Sequence, residues 1–348
     1  MIFPRILPVA AGLLLAGSVL AQNNPPIPAP GPYHFLKEIP LGGEGGWDYV
    51  SVDPVAHRLY VSHGAKVVVL DTRTDAVVGE IADTPGIHGI AVAPKSGRAY
   101  TSNGREDKVS MVDTATWRTL AKLDAGKNPD AILYEPSREE VYAFNGRSNS
   151  VSVFAAAGGP AVATIAVEGK PEFAQADPAA GRVYVNIEDH NQVDALNTRT
   201  HEVVARWSLA PGESPTGLDI DCEHHRLFAG CGNALLVVLD SADGRRVATI
   251  PAGKGIDAVA FDPTTQLVFT SNGRDGTVTV VHQDSPEHYT VVQTLPTEPR
   301  ARTMALDTST HTIYLPSARF ENAPAGSGPQ RPTMVPGSFK LLVYTYAP

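Results

Sequence analysis

The chain repeats one pattern of hydrophobic and polar positions seven times. In each copy, two short runs of alternating apolar and polar residues flank a polar turn, and a β-rich run such as VVVLDTRTDAVVGEI follows. Alternation with a period of two is typical of strands with one buried face. The first copy reads WDYVSVDPVAHRLYVSH, and the later ones read HGIAVAPKSGRAYTSN, DAILYEPSREEVYAFN, EFAQADPAAGRVYVNI, TGLDIDCEHHRLFAGC, DAVAFDPTTQLVFTSN and RTMALDTSTHTIYLPS.

The spacing of these copies predicts a β-propeller. The positions equivalent to Asp53 are 93, 135, 177, 221, 262 and 307, which lie 40 to 45 residues apart. One unit of this length supplies four short strands and cannot bury both of its faces, whereas seven units packed radially cover one another. We therefore expect an all-β fold, a seven-bladed β-propeller over residues 33–348. The content of 31 Gly and 29 Pro in 348 residues agrees with a chain rich in turns.

The last copy needs a strand from elsewhere. It ends at KLLVYTYAP, which supplies only a third strand, while YHFLKEIPLGG at residues 33–43 matches fourth strands such as RVATIPAGKG. We expect the N-terminal strand to complete the last blade, so that deleting residues 33–41 opens the ring. The same blade carries a long Pro- and Gly-rich loop at 319–338, which is either a lid over the channel or an ordinary surface loop.

The N-terminus has the pattern of an export signal. Residues 1–21 combine Arg5, an apolar run, and small residues at Val19 and Ala21, as in a signal peptide. A Pro-rich linker over 22–32 follows. We predict a periplasmic or secreted protein, monomeric and without a membrane span after cleavage. The net charge of −9 argues against binding to nucleic acid or anionic lipid.

The segments LYVSH, AYTSN, VYVNI and VFTSN, with VDT-like turns after them, resemble the YVTN-repeat family of β-propellers, which includes YncE-like exported proteins. The resemblance implies the same fold and a binding or scaffold role. It leaves the activity open, because propellers host binding scaffolds, lyases and lactonases.

The hairpin register predicts a ring of polar side chains. If Asp53 faces Arg58, paired positions sum to 111 and Asp48 lies opposite His63. Radial symmetry then gathers the equivalent pairs around one mouth of the central channel. Those pairs are His88 with Asn103, Asp130 with Asn145, Glu172 with Ile187, Thr216 with Cys231, Asp257 with Asn272, and Arg302 with Ser317.

The charges of this ring point to a metal and an anionic ligand. Carboxylates about 8 Å apart repel by about 2 kcal/mol per pair at an effective dielectric near 20, so they need Arg302, a protonated His, nearby arginines or a bound cation. The predicted metal ligands are Asp48, His88, Asp130, Glu172 and Asp257, for Ca²⁺, Mg²⁺ or Zn²⁺. The predicted residues for a small or anionic ligand are Arg105, Arg147, Arg274, Arg319, Asn103, Asn145 and Asn272.

Whether the protein is an enzyme stays open at this point. Candidate catalytic residues are His88, His63 and Arg302, with the metal polarising a carbonyl or phosphoryl oxygen. One alternative is a metal-dependent lyase or lactonase similar to the streptogramin lyase and gluconolactonase propellers, and another is a protein-interaction scaffold or a binder of single-stranded nucleic acid. A simpler interpretation is that these polar groups only solvate the channel. The register separates Cys222 from Cys231, so we expect free thiols.

Overall fold

The computed structural model describes residue 1, residues 31–321 and residues 332–347. It contains seven four-stranded antiparallel sheets, each with its strands in meander order. The innermost strands of neighbouring blades contact one another around the ring, and the seventh blade contacts the first. The prediction of a seven-bladed β-propeller is confirmed. The predicted signal peptide at 1–21 and most of the linker lie outside the described residues.

The blades follow the chain, and the strands of each run from the channel outwards. Blades one to three contain Val50–Asp53, Arg58–His63, Lys66–Asp71 and Val77–Ile81; Ile87–Ala93, Arg98–Asn103, Lys108–Asp113 and Thr119–Asp124; and Pro129–Glu135, Glu140–Asn145, Ser150–Ala155 and Ala163–Ala166. Blades four to six contain Pro171–Asp177, Arg182–Ile187, Gln192–Asn197 and Glu202–Ser208; Pro215–Asp221, Arg226–Cys231, Leu235–Asp240 and Arg246–Pro251; and Ile256–Asp262, Leu267–Asn272, Thr277–Ser285 and His288–Pro296. Blade seven contains Ala305–Asp307, Thr312–Ser317, Lys340–Tyr346 and Tyr33–Pro40.

Short elements complete the described chain. A two-stranded hairpin pairs Phe320–Glu321 with Thr333–Met334 inside the long loop of blade seven. Two 3₁₀ turns, Pro94–Ser96 and Glu188–His190, follow strands of blades two and four. Within the described ranges, no helix has the length and apolar character needed to cross a membrane.

The N-terminal strand closes the ring as predicted. Tyr33–Pro40 pairs antiparallel with Lys340–Tyr346, from Tyr33 opposite Tyr346 to Pro40 opposite Lys340. The Tyr33 ring is buried and lies edge-on to Phe269 of blade six, with centroids 5.0 Å apart. Its backbone exchanges two hydrogen bonds with the Gln293 side chain, at 3.0 and 2.7 Å. The closing strand is therefore fastened to the neighbouring blade as well as to its own.

The hydrophobic core lies between blades. One cluster joins Phe269 and Val278 of blade six to Ile313 and Leu342 of blade seven, and equivalent clusters fill the other interfaces. Both faces of each blade are thus apolar, as expected for sheets that cover one another. Packing of this kind leaves the strand ends at the two mouths of the channel free to carry polar side chains.

A β-bulge in the innermost strand changes the predicted register at the mouth. In blade two, Ile90 pairs with Thr101 but Ile87 pairs with Asn103, so the inner strand contains one extra residue. The same shift occurs in blades three to six. The predicted pairing of His88 with Asn103 is therefore wrong, and so are the equivalent pairs in those blades. Because side chains alternate along a strand, one extra residue sends His88 and Asn103 in different directions.

Hydroxyl groups in the repeated motifs stabilise this bulge. Ser102 of AYTSN accepts a hydrogen bond from Gly89 N at 2.8 Å and donates one to the carbonyl of Asp130 in the next blade. Ser271 of VFTSN likewise joins Ala258 N to the carbonyl of Arg302. The motif residue thus fixes the backbone of the next blade at the position whose side chain faces the mouth.

Candidate functional site

Polar side chains of five blades form a continuous chain of contacts at one mouth. The Arg302 guanidinium donates to Asp257 from Nη1 and to Asp48 Oδ1 from Nη2, the latter at 3.2 Å. His88 Nδ1 lies 2.7 Å from Asp48 Oδ2 and 3.4 Å from Asp130 Oδ1. Asp48, His88 and Asp130 thus offer three ligand atoms that all lie within 4.8 Å of one another. These three residues are called the mouth triad below.

The backbone holds the triad in place. Asp48 N donates to Ser62 Oγ at 2.8 Å, and the carbonyl of Asp48 accepts from Thr303 Oγ1 at 2.7 Å. The bulges turn His88 and Asp130 toward the axis, and Ser102 binds the Asp130 carbonyl. Because Asp48 contacts residues of blades two and seven and His88 contacts residues of blades one and three, the triad joins neighbouring blades of the ring.

The remaining two predicted metal ligands are paired with cations of the chain. Asp257 binds Arg302, and Glu172 forms an ion pair with Lys170, which also reaches Glu188. Lys170 was not predicted, although it stands two residues before Glu172, on the same side of the strand start. Arg302 and Lys170 therefore supply part of the predicted compensation, and His88 contacts the carboxylates of both Asp48 and Asp130. No carboxylate of the described residues forms an ion pair with Arg105, Arg147, Arg274 or Arg319.

Burial and neighbouring charges shift the pKa values of the ring. Burial raises the pKa of Asp130 to about 6, where the Asp48 charge adds to the effect and His88 opposes it. Burial, followed by the Asp130 charge, raises the pKa of Glu172 to about 8 despite Lys170. Burial alone would lower the pKa of His88, but the hydrogen bond to Asp48 and the Asp130 charge raise it above its usual value. The mouth therefore holds protons near neutral pH.

A cavity of about 1150 Å³ opens over Asp48 and His88 of the triad. Arg105 and Arg147 are exposed on its rim, and Lys127 there is paired with Asp107 at 2.7 Å. Cations at the rim and acids at the floor give the cavity two zones of opposite charge. Its lining includes Trp47, Asp48, Ile87, His88, Arg105, Asp107, Lys127, Asn128, Arg147 and Arg302.

The predicted asparagines do not reach the cavity. Asn103, Asn145 and Asn272 are fully buried. Their amides donate to hydroxyls of the third strand, as from Asn103 to Ser110 at 2.7 Å and from Asn272 to Thr279 at 2.9 Å. The prediction that they face a ligand at the mouth is wrong, because their amides form hydrogen bonds inside the blade.

His63 also lies away from the triad. Its ring is buried and stacks on Phe339, with centroids 4.0 Å apart and planes 10° from parallel. Burial lowers its pKa. A neutral imidazole packed on an aromatic ring serves the core of the first and last blades, so of the predicted catalytic residues only His88 and Arg302 lie at the mouth.

The other predicted residues lie partly at the mouth and partly away from it. Arg274 lines a second cavity beside Arg302, whereas Arg319 is exposed at the start of the blade-seven loop. Cys222 and Cys231 are both free, as predicted. Cys231 is buried, and burial raises the pKa of its thiol to about 12, which favours a packing role over a nucleophilic one.

Two aromatic rings meet across the channel below the triad. Tyr49 of blade one and Phe173 of blade four have centroids 5.3 Å apart. These blades are not neighbours, so the contact crosses the axis. The equivalent positions in the other five blades hold smaller residues, Gly89, Ala131, Gly217, Ala258 and Thr303, which leave room for both rings. In the sequence, Tyr49 and Phe173 stand one residue after Asp48 and Glu172, and they are the aromatic residues among the seven equivalent positions.

Comparisons with known proteins identify the fold alone. No family model and no curated protein matches the chain. Among solved structures, it is similar to hydrazine synthase of Kuenenia stuttgartiensis, with a TM-score of 0.69 and 16% identity over 87% of this chain and 96% of that chain. This likeness supports the propeller, and the resemblance to the YVTN-repeat family stays a prediction.

Proposed function

We propose that the mouth binds a divalent metal ion through Asp48, His88 and Asp130. The observation that carries this proposal is the convergence of two carboxylates and an imidazole, with ligand atoms within 4.8 Å of one another, beside a cavity that Asp48 and His88 line. Three side-chain ligands with open positions are typical of metal sites that also accept a small molecule or water. The remaining positions face the cavity and its rim of arginines.

The donor set selects among the three ions expected. Ca²⁺ and Mg²⁺ prefer oxygen ligands, whereas an imidazole with carboxylates suits Zn²⁺. Ligand atoms on a tetrahedral zinc ion are about 3.4 Å apart, given bonds of about 2.1 Å. His88 Nδ1 lies 3.4 Å from Asp130 Oδ1, which matches that value, whereas its 2.7 Å contact with Asp48 Oδ2 is a hydrogen bond that must lengthen when an ion binds. Zn²⁺ is therefore the proposed ion, and it would supply Lewis acidity toward a carbonyl or phosphoryl oxygen.

A proton on His88 competes with the metal. The carboxylates raise the pKa of His88, so in the metal-free protein the imidazolium fills the role of the cation between Asp48 and Asp130. Metal binding requires the neutral ring and therefore releases that proton. We expect affinity for Zn²⁺ to rise as the pH increases through the His88 pKa.

The wider proposal is an exported YncE-like propeller that binds a small anionic ligand beside this ion. Arg105 and Arg147, which are exposed and have no carboxylate partner in the described ranges, favour an anion. A metal-dependent lyase or lactonase is the enzymatic alternative, with His88 moving the proton. Export is tested by sequencing the N-terminus of the secreted or periplasmic protein, where cleavage after Ala21 is expected.

Titration of EDTA-treated protein with Zn²⁺ tests the metal site. Calorimetry should give one ion per chain, and Asp130→Asn and His88→Ala should each weaken binding at least about tenfold, because each removes one ligand. Matched controls are Asp243→Asn and His34→Ala, both exposed. Circular dichroism establishes that every variant is folded. Absence of binding below about 1 mM, or equal affinity in folded site variants and controls, contradicts the proposal.

A further inference from the structure

A second cavity lies beside the triad, between blades six, seven and one. Its volume is about 600 Å³, and it shares Trp47 and Arg302 with the first cavity. Phe320 of the short hairpin in the blade-seven loop forms part of its wall. The side chains that matter here are Trp47, Asp257, Arg274, Arg300, Arg302 and Phe320, which are called the arginine lobe below.

The arginine lobe carries positive charge that the chain does not neutralise. Arg302 is paired with Asp257 and Asp48. Arg274 and Arg300 are exposed, and neither forms an ion pair with a carboxylate of the described residues. Two uncompensated guanidinium groups in one cavity are notable in a protein whose net charge is −9. Such a field attracts an anion to this place in particular.

Arg300 is held toward the cavity by its backbone and by Phe320. Its φ of 75° lies in the left-handed region, which is uncommon for a residue with a long side chain. Its N–H donates to the carbonyl of Gly273 at 2.6 Å. The guanidinium carbon lies 4.4 Å from the centroid of the Phe320 ring. A cation over a ring face keeps its N–H groups free to donate at the edge.

Aromatic surface adjoins these donors. The rings of Trp47 and Phe320 have centroids 6.0 Å apart. A guanidinium binds a carboxylate through two parallel hydrogen bonds, whereas an apolar body gains by covering aromatic surface. The arginines of this small cavity thus suit the carboxylate of a ligand, and its aromatic rings suit the apolar part of the same ligand.

We propose that the arginine lobe binds a small organic anion, a carboxylate attached to an apolar or aromatic body. Arg274 and Arg300 hold the carboxylate, and Phe320 and Trp47 contact the body. The acids of the adjoining triad repel a polyanion, which favours a small anion over a nucleic acid. This site goes beyond the proposed metal site and does not need the ion, because the two cavities share only Gly46, Trp47 and Arg302, none of which is a proposed metal ligand.

2-Naphthoate is the probe for this site. Calorimetry on EDTA-treated protein should detect its binding, whereas 2-naphthylmethylammonium, with the same rings and the opposite charge, should not bind. Arg274→Gln and Arg300→Gln should each weaken binding at least about tenfold, in line with a charge-assisted hydrogen bond. Phe320→Ala should weaken naphthoate binding, and the matched control Arg118→Gln, an exposed arginine outside both cavities, should leave it unchanged.

Several results overturn the proposal. These are no naphthoate binding up to about 10 mM, equal binding of the cationic analogue, or losses in Arg118→Gln as large as in Arg274→Gln, which indicate a diffuse charge effect. Tighter binding of a single-stranded oligonucleotide than of naphthoate, lost in the same variants, assigns the lobe to nucleic acid instead. Since metal is absent throughout, failure here is separate from failure of the Zn²⁺ titration.

Discussion

Arg302 Nη2 of the seventh blade donates a hydrogen bond to Asp48 Oδ1 of the first blade, 254 residues away, at 3.2 Å. The same guanidinium binds Asp257 of the sixth blade and the Trp47 carbonyl. The groups proposed to serve the mouth therefore also join the last blade to the first. Stability and ligand chemistry share these residues.

Replacing Arg302 should weaken the closed ring. In Arg302→Gln, Asp48 and Asp257 lose their shared cation, and the half-exposed position limits the cost to about 1–3 kcal/mol of unfolding free energy. Urea unfolding measures it. Arg118→Gln, an exposed arginine without an ion pair among the described residues, should change stability by less than about 0.5 kcal/mol. Equal stability of the two variants would show that the bridge contributes nothing.

The protein should lose stability as the pH rises from about 5 to about 8. Glu172 and His88 have raised pKa values in the folded chain, from 4.5 to about 8 for Glu172. In this window the folded state holds protons that the unfolded chain has released, so stability is present on the acid side and is lost on the alkaline side. In Glu172→Gln the fall should shrink by about 3–4 kcal/mol, because most of the shift from 4.5 to about 8 lies inside this pH window, at about 1.4 kcal/mol per pKa unit.

Urea unfolding at several pH values checks this prediction. Glu213→Gln, an exposed carboxyl, is the control and should retain the full pH dependence. A wild-type protein that gains stability over this range, or a Glu172→Gln variant that tracks the wild type, would contradict the assignment.

Tyr33 should be the critical residue of the closing strand. Tyr33→Ala removes a buried ring from Phe269 and should cost about 3–5 kcal/mol, by analogy with other large-to-small core changes. Phe35→Ala, in the same strand but half-exposed, should cost less than about 1.5 kcal/mol. Thermal melting and limited proteolysis of the two variants measure the difference. A similar melting temperature for both variants argues against the fastening of blade seven to blade six.

The serines of the repeated motifs should contribute to the stability of the fold. Ser102→Ala leaves the Gly89 N–H and the Asp130 carbonyl without their partner, which should cost about 1–3 kcal/mol. Ser137→Ala, in an exposed turn, serves as the control and should be neutral within about 0.5 kcal/mol. Denaturant unfolding separates the two, and a neutral Ser102→Ala would remove the hydroxyl bridge from the account of the bulge.

The architecture could be predicted because one sequence pattern repeats seven times. The spacing of the copies determines the number of blades, and the unmatched segment at Tyr33 determines how the ring closes. The residues of the mouth ring were also predictable, since symmetry brings equivalent positions to one opening whatever the local register. Asp48, His88, Asp130, Asp257 and Arg302 accordingly share one mouth.

The details of the mouth depended on side-chain hydrogen bonds that a strand pattern does not encode. At the bulge, the Ser102 hydroxyl accepts the hydrogen bond of Gly89 N in place of a bond between the two strands. Asn103 faces the inside of the blade, whereas the predicted register placed it at the mouth. Lys170 was missed because it lies before its strand and outside the aligned columns. The arginine lobe was missed because Arg300 and Phe320 come from loops of unequal length and meet only in three dimensions.

The contact between Tyr49 and Phe173 spans the channel below its charged opening. Two rings packed across the axis obstruct the path from one face of the propeller to the other. The route to Asp48 and His88 then leads through the first cavity, past Arg105 and Arg147. An ion would enter and leave by the same opening, and the charge of these arginines would act on it in both directions.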